Sequence, residues 1–188
     1  MALRKIARMG HPVLRSPAAA VEDPQAAGVA LLVRDMIETM EDAGGAGIAA
    51  PQLYEPLRIL VFRVPPERVS EDPSDLPQDL TVLINPSVEA LGRERALAFE
   101  GCLSLPGLRG AVPRAFRIGY RGLTLEGRTI EREVSGFHAR LVQHECDHLE
   151  GILYPQRMSD LRLLTFVEEL ARHPIDLSAP IAAEREKG

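Results

Sequence analysis

The segment from Gln143 to His148 reads Gln-His-Glu-Cys-Asp-His, and its residue types and spacing could bind a metal ion. Residues four apart on an α-helix project from the same face, because the helix makes one turn in about 3.6 residues. His144 and His148 could therefore hold one divalent ion between them, while Glu145 transfers protons beside it. A catalytic site of this kind needs one further protein ligand and keeps one position for water.

The sequence around these residues predicts a buried helix. Ser135 is a suitable N-cap, residues 137–149 contain no Pro or Gly, and Gly151 follows as a stop signal. Phe137 and Leu141 lie on the same stripe as the two histidines, and a second apolar stripe lies beside it. Both histidines should then be buried, where imidazoles need partners. They are either metal ligands or hydrogen-bonded core histidines that match the pattern by chance.

Length, composition and charge exclude several kinds of function. The chain has 188 residues, of which 45% are apolar and 26% charged, as in an ordinary soluble globular domain. The formal charge of -5 argues against a dedicated nucleic-acid binder, and no apolar run is long enough to span a membrane. Residues 1–10 lack the apolar core of a secretory signal, so we expect a cytoplasmic protein with no membrane partner. Cys102 and Cys146 should then be reduced thiols or metal ligands.

Hydrophobic periodicity predicts one helix, a series of short strands, and then two further helices. The predicted elements are a helix over 24–43 that begins at Asp23-Pro24, strands over 58–64, 80–84 (ended by Asn85-Pro86) and 87–99 (turning near Gly92), a hairpin over 115–134, the histidine helix, and a helix over 159–172. The fold class is α+β, with short, mostly antiparallel strands around a central metal-binding helix and with N-terminal and C-terminal helices. Residues 65–79 should form a surface loop without packed structure. Residues 1–172 should form one catalytic domain, followed by a loosely ordered tail over 173–188.

Two other segments have alternative interpretations. Cys102, in the segment from Glu100 to Pro106, is either a small buried apolar residue or the third metal ligand. The small residues from Gly45 to Gln52 either end a helix or leave room for another backbone to approach closely. The remaining histidines lack ligand-like spacing and are expected at the surface or in loops: His11, His138 and His173.

Together, three segments resemble the signature motifs of the peptide deformylases, in the same order and at similar separations. They are Gly45 to Gln52, Glu100 to Ser104, and Gln143 to His148. The resemblance extends to residues 10–15 and 112–114, and it stops near Arg172. Each motif alone is modest evidence, but the three together are highly specific.

The resemblance implies a role for each matching residue. Cys102, His144 and His148 would hold the metal, and Glu145 would be the general acid and base. Gln52 and the backbone amide of Leu103 would stabilise the oxyanion. Three glycines would border the peptide-binding groove: Gly45, Gly47 and Gly101. Cys146 would be a spectator thiol, and Asp147 would pair with Arg114.

The resemblance also implies a reaction. The enzyme would be a metal-dependent hydrolase that removes the N-formyl group from the formylmethionine of newly synthesised polypeptides and releases formate. Its metal would be Fe(II) in the cell, with zinc or nickel as substitutes. Its partners would be N-formylmethionyl nascent chains, with a possible transient association with the ribosome and no direct nucleic-acid specificity.

The residues themselves suit the hydrolysis of an amide. A divalent ion can supply hydroxide near neutral pH, and Glu145 can carry the proton to the departing nitrogen. A peptide could add as a strand beside the glycine-rich segment, and Phe137 and Leu141 could line a pocket for the methionine side chain. The histidine motif alone equally fits a metallopeptidase, and a non-catalytic metal-binding or ribosome-associated module is the alternative from another class.

Overall fold

The computed structural model describes residues 3–177, and its strands form two antiparallel sheets around a central helix. The five-stranded sheet consists, in spatial order, of β1 (Gly47–Ala49), β2 (Ile59–Val64), β3 (Gln78–Ala90), β6 (Arg117–Leu123) and β7 (Thr129–Ser135). The three-stranded sheet consists of β4 (Arg95–Cys102), β5 (Leu105–Ala115) and β8 (Leu164–Phe166). The helices of the described residues are α1 (Ala27–Asp42), α2 (Gly136–Leu149) and α3 (Val167–Arg172). This arrangement confirms the predicted α+β class.

Helix α2 is buried as predicted, and its apolar side belongs to the main core. Ala139, Val142 and Leu149 are fully buried in one cluster with Leu60 and Phe62 of β2. Complete burial of a side chain the size of leucine or phenylalanine contributes about 1.5–3 kcal/mol to folding. This packing anchors α2 on the five-stranded sheet, and the polar stripe of the helix faces the hairpin formed by β4 and β5.

Helix α1 begins later than predicted. The Asp23 carboxylate accepts a hydrogen bond from the backbone N–H of Gln25 (2.9 Å) and so closes a turn ahead of the helix, which starts at Ala27. Met36 and Met40 of α1 are fully buried in a second core cluster with residues of β1 and β2. The end of α1 leads into the segment of small residues from Gly45 to Gln52, which contains β1.

Strand β3 does not end at Asn85-Pro86 as predicted but continues to Ala90. A bulge between Ile84 and Ser87 accommodates the proline, which has no N–H for the ladder. Asn85 adopts a positive φ of 51°, and its side chain holds the backbone of Val21 with two hydrogen bonds (2.8 and 2.9 Å). Asn85-Pro86 therefore marks a bulge within β3 and does not mark the end of the strand.

The predicted helix over 159–172 is mostly wrong. The segment opens with a 3₁₀ turn over Leu161–Leu163, continues as β8 and becomes helical only from Val167. Strand β8 pairs with β5, with Leu108 opposite Phe166, so sheet hydrogen bonds outweigh the local helical periodicity. Part of the predicted tail, residues 178–188, lies outside the described residues.

The predicted surface loop between β2 and β3 is instead packed against the start of α2. Asp75 is only 3% exposed and accepts hydrogen bonds from the backbone N–H groups of Phe137 (2.9 Å) and His138 (3.2 Å). Ser135 occupies the predicted N-cap position, but its hydroxyl donates to Asp72 (2.6 Å) and does not cap the helix. The cap therefore comes from a loop about sixty residues earlier in the chain.

His138 was predicted to lie at the surface or in a loop, but the structure places it in the core. It is 1% exposed and packs against the rings of Phe62 and Tyr120, with centroids 5.5 and 5.7 Å away. Burial lowers the pKa of His138 to about 4, so the ring is neutral in the folded protein. It belongs to the core of the fold and lies apart from the other two histidines of α2.

Substitution of Asp75 by alanine should lower the free energy of unfolding by about 1–2 kcal/mol, since two amides of α2 lose their acceptor. The effect should depend on pH. Burial opposes ionisation of Asp75, but hydrogen bonds from Ser70, Phe137 and His138 hold its pKa below the ordinary value. The carboxylate's contribution is therefore complete above about pH 4 and is lost as the pH falls through the lowered pKa.

Urea unfolding at pH 7 and pH 3 would measure both effects. Asp79→Ala is the control, because Asp79 follows this loop at the start of β3 and has an exposed side chain. We expect a smaller difference between Asp75→Ala and the wild type at pH 3 than at pH 7, and almost no effect of the control. Equal stabilities for the two variants would contradict the capping role.

Candidate metal centre

Cys102, His144 and His148 lie together with potential ligand atoms all within 4.8 Å of one another. Helix α2 supplies the two histidines, whose ring centroids are 5.1 Å apart. Cys102 ends β4, at the tight turn into β5, and its Sγ lies 3.2 Å from Nε2 of His148. The fold therefore brings the cysteine to the histidine pair.

Glu100 orients the ring of His144. The Glu100 carboxylate lies 2.8 Å from Nδ1 of His144. Burial opposes ionisation of Glu100, but hydrogen bonds from His144 and Arg114 hold its pKa well below the ordinary range. An ionised carboxylate can only accept, so Nδ1 carries the proton and Nε2 keeps the lone pair that binds metals.

Two buried arginines compensate the charge of Glu100. Arg114 donates to both Glu100 oxygens (2.9 and 3.0 Å) and also to Asp147 (2.5 Å), which confirms the predicted pair of Arg114 and Asp147. Arg140 donates to Glu100 (2.8 Å) and to the backbone carbonyl of Val112 (2.8 Å). Sequence reasoning missed Glu100 and Arg140. The sequence did contain a signal for this pair, because Glu100 is a carboxylate inside the cysteine motif and Arg140 lies on the inner face of the predicted helix.

The chemistry of the three side chains fits a divalent metal ion. Burial raises the pKa of the Cys102 thiol, but His148 and His144 outweigh it and lower that pKa well below the ordinary value. The thiolate is the form that binds metals. In addition, Nδ1 of His148 and Oε2 of Glu145 are buried without a hydrogen-bond partner among the described residues. Two imidazoles and one thiolate suit zinc and Fe(II).

Glu145 is buried beside the three ligands, and burial raises its pKa to about 7. Its carboxylate lies against Gly47, where an added Cβ would be 2.5 Å from Oε1. Any side chain at position 47 would therefore displace the carboxylate. The small residues before Gln52 leave room for this side chain.

Gln52 is fixed by hydrogen bonds on both sides of its amide. Its Oε1 accepts from the backbone N–H of Ala49 (2.8 Å), and its Nε2 lies 3.2 Å from Oγ of Ser104 and 3.5 Å from Sγ of Cys102. The N–H₂ end consequently points toward the metal ligands. Leu103 follows Cys102 in the turn between β4 and β5.

A cavity of about 320 Å³ lies over these groups. Its lining includes His144, Glu145 and all the residues that the sequence suggested for substrate binding: Gly45, Gly47, Gly101, Phe137 and Leu141. The lining also includes Arg68, Arg109 and Val167, which sequence reasoning did not select. Arg68 lies in the loop between β2 and β3, which carried no sequence signal for function.

Comparison with known proteins identifies the family. The model of the family described as polypeptide deformylase matches residues 3–163 of this chain. The chain is also 44% identical over 168 residues to peptide deformylase 1 of Nitrosomonas europaea, an alignment that covers 89% of this chain and 94% of that protein. The chain belongs to the polypeptide deformylase family. It is a metal-dependent hydrolase that removes the N-formyl group from the N-terminal methionine of newly synthesised polypeptides.

Solved deformylase structures have the same fold. A class I type b peptide deformylase from Acinetobacter baumannii, solved with Met-Ala-Ser bound, is 36% identical with a TM-score of 0.74, and the match covers 84% of this chain and 99% of that one. A peptide deformylase from Ehrlichia chaffeensis is 32% identical with a TM-score of 0.79, over 86% of this chain and 90% of that one. Among residues 3–177, no helix has both the length and the apolar character needed to cross a bilayer.

Proposed function

We propose that Cys102, His144 and His148 hold one catalytic divalent metal ion, and that Glu145 moves the protons of deformylation. The observation that supports this assignment is the grouping of the three ligand atoms within 4.8 Å. We assign Fe(II) as the ion in the cell, with zinc or nickel able to substitute, because a thiolate beside two imidazoles suits these metals.

When bound, an ion at this site supplies a water of lowered pKa and polarises the formyl carbonyl. Glu145 accepts a proton from the attacking water and delivers it to the departing nitrogen, because an amine leaves poorly without a proton. Burial raises the pKa of Glu145, which favours the form that holds the proton between the two steps. The unpartnered Oε2 is the atom available for this transfer.

Gln52 and Leu103 stabilise the oxyanion of the tetrahedral intermediate in this proposal. The amide of Gln52 is already oriented by Ala49, so its N–H₂ group needs no rearrangement during the reaction. The backbone N–H of Leu103, next to Cys102, is the second donor. Donors fixed in advance stabilise developing charge better than mobile water does.

The substrate binds as an additional strand along β1. This strand lies at the edge of the five-stranded sheet, so one side of its backbone is open to another chain. Gly45, Gly47 and Gly101 keep the groove free of side chains. Main-chain pairing is independent of sequence, which suits an enzyme that acts on many polypeptides.

Phe137 and Leu141 line the pocket for the methionine side chain in this proposal. Leu141→Glu should reduce the preference for formyl-Met over formyl-Ala peptides by about ten-fold, since a carboxylate in an apolar pocket opposes the larger apolar side chain. The ratio of the two kcat/KM values, measured on one preparation, is independent of the fraction folded. Leu80→Glu is the control, because Leu80 is exposed and lies outside the cavity. An unchanged ratio for Leu141→Glu would contradict the assignment.

Protein prepared without oxygen should contain more iron and turn over faster than protein prepared in air. The Cys102 thiolate is open to oxidation, and its oxidation removes a ligand. Burial raises the pKa of Cys146 to about 12, so this thiol should remain inert. Cys146→Ser should keep the same sensitivity to oxygen. Equal iron content and equal rates from the two preparations would contradict the prediction.

A metallopeptidase is the rival enzyme, since the histidine motif alone fits it. Formylated and unformylated forms of one peptide distinguish the two: we expect formate from the formylated peptide and no peptide-bond cleavage in either. Cleavage of the peptide bond would favour the peptidase. Metal binding without turnover of either peptide would favour a non-catalytic module.

We also propose that residues 1–172 form the catalytic domain and that 173–188 is a tail outside it. The enzyme acts in the cytoplasm, where nascent chains are made, without nucleic-acid specificity or membrane attachment. A transient association with the ribosome would bring it to its substrate. Co-sedimentation with translating ribosomes would test this association.

A further inference from the structure

The mouth of the active-site cavity carries positive charge on an acidic protein. Arg68 and Arg109 line the cavity, and neither has a carboxylate partner among residues 3–177. The other lining arginine, Arg140, is paired with Glu100. The chain as a whole has a formal charge of -5, so two arginines at the cavity without a carboxylate partner in the described part of the chain are a local feature of an acidic protein.

Arg68 is held in a defined place. Its guanidinium carbon lies 5.2 Å from the ring centroid of Phe137, the residue at the first turn of α2. Asp75, in the same loop, accepts a hydrogen bond from the backbone N–H of Phe137 (2.9 Å), which attaches the loop to the start of the helix. The side chain of Arg68 is exposed, and its charge is open to a ligand in the groove.

The position of Arg68 next to the proposed methionine pocket puts it near the third residue of an extended substrate. In an extended peptide the first and third side chains point to the same face, about 6.6 Å apart. Leu141 and Phe137 are four residues apart on α2, which separates them by about 6 Å along the helix axis. Arg68 covers the ring of Phe137 at one side of the proposed methionine pocket, so a third side chain on the same face of the peptide as methionine would lie beside the guanidinium. This step rests on the proposed function, since it assumes the methionine pocket described above.

We propose that Arg68 makes this deformylase select nascent chains with an acidic third residue over those with a basic one. Arg109, beside Gly101, adds positive potential from a second side of the cavity. The contact is exposed to solvent, so we expect a preference of about five-fold for Glu over Lys at low salt. It should weaken as salt rises, because screening reduces interactions between exposed charges.

The test uses metal-loaded enzyme and three peptides that differ only at the third position: formyl-Met-Ala-Glu, formyl-Met-Ala-Gln and formyl-Met-Ala-Lys, each with an amidated C-terminus. Formate release gives kcat/KM for each peptide at low and high salt. The variants are Arg68→Gln and the charge reversal Arg68→Glu. Arg121→Gln is the control of equal charge change, because Arg121 is exposed on β6 and does not line the cavity.

We expect the Glu/Lys ratio to fall from about five toward one in Arg68→Gln, where only Arg109 remains, to drop further in Arg68→Glu, and to stay at the wild-type value in Arg121→Gln. Equal rates for the Glu and Lys peptides in the wild type would overturn the selectivity and leave deformylation intact, since the Gln peptide still reports it. The same ratio in wild type and Arg68→Gln would overturn the role of Arg68. No formate from any peptide would overturn both the selectivity and the proposed site.

Discussion

Replacement of Glu145 by glutamine should lower kcat/KM for a formylated peptide by about 10²–10⁴-fold, the range that general acid and base catalysis contributes. Glutamine has nearly the same shape, so it keeps the contact with Gly47, but it cannot accept and deliver the proton. Glu145 is not one of the three grouped ligands, so the metal content should be unchanged. The measurements are formate release and metal per chain on the same sample.

The control for this experiment is Glu150→Gln. Glu150 follows α2 and pairs with Arg58 near the surface, so its loss should leave formate release almost unchanged. If Glu145→Gln kept more than a tenth of the wild-type rate with a full complement of metal, another group would have to move the protons.

Replacement of Arg114 by methionine should cost about 3–5 kcal/mol of folding free energy. The Arg114 side chain is only 5% exposed, and its removal leaves the carboxylates of Glu100 and Asp147 undercompensated in the interior. A charge that is buried without its partner destabilises more than the intact pair stabilises. The loss should also reach the metal centre, because Glu100 then holds His144 less firmly.

Arg157→Met is the matched control, because Arg157 binds the same Asp147 but its side chain is 46% exposed. We expect a cost of about 1 kcal/mol or less for this partly solvated pair. Urea unfolding of the two variants and the wild type gives the comparison. Similar losses for both arginines would show that burial does not decide the energetics of this network.

The sequence predicted the elements that depend on local pattern. The stripe of Phe137, Leu141 and His144 predicted a buried α2 that the structure confirms, because helical periodicity is a property of one segment. From the residues alone, Cys102 had two interpretations. The hairpin of β4 and β5 places Sγ 3.2 Å from Nε2 of His148, which supports the interpretation of Cys102 as a ligand.

The errors arise where distant segments meet. Ser135 was a reasonable cap from its position, but Asp75 reaches the same amides from 62 residues away, and no local pattern indicates which group does so. The periodicity of 159–172 favoured a helix. Leu164–Phe166 instead forms a strand, because it pairs with the edge of β5. Glu100 and Arg140 likewise became interpretable only once the fold placed both charges in the interior.

The most direct test of the metal centre is an anaerobic titration of metal-free protein with Fe(II), with formate release from formyl-Met-Ala-Ser as the readout. We expect almost no formate without metal, and a rate that rises linearly until one equivalent is bound and then stays constant. Cys102→Ala should need a large excess of Fe(II) to approach any plateau. Full activity in the metal-free protein, or a titration that is unchanged in Cys102→Ala, would contradict a catalytic site built on Cys102, His144 and His148.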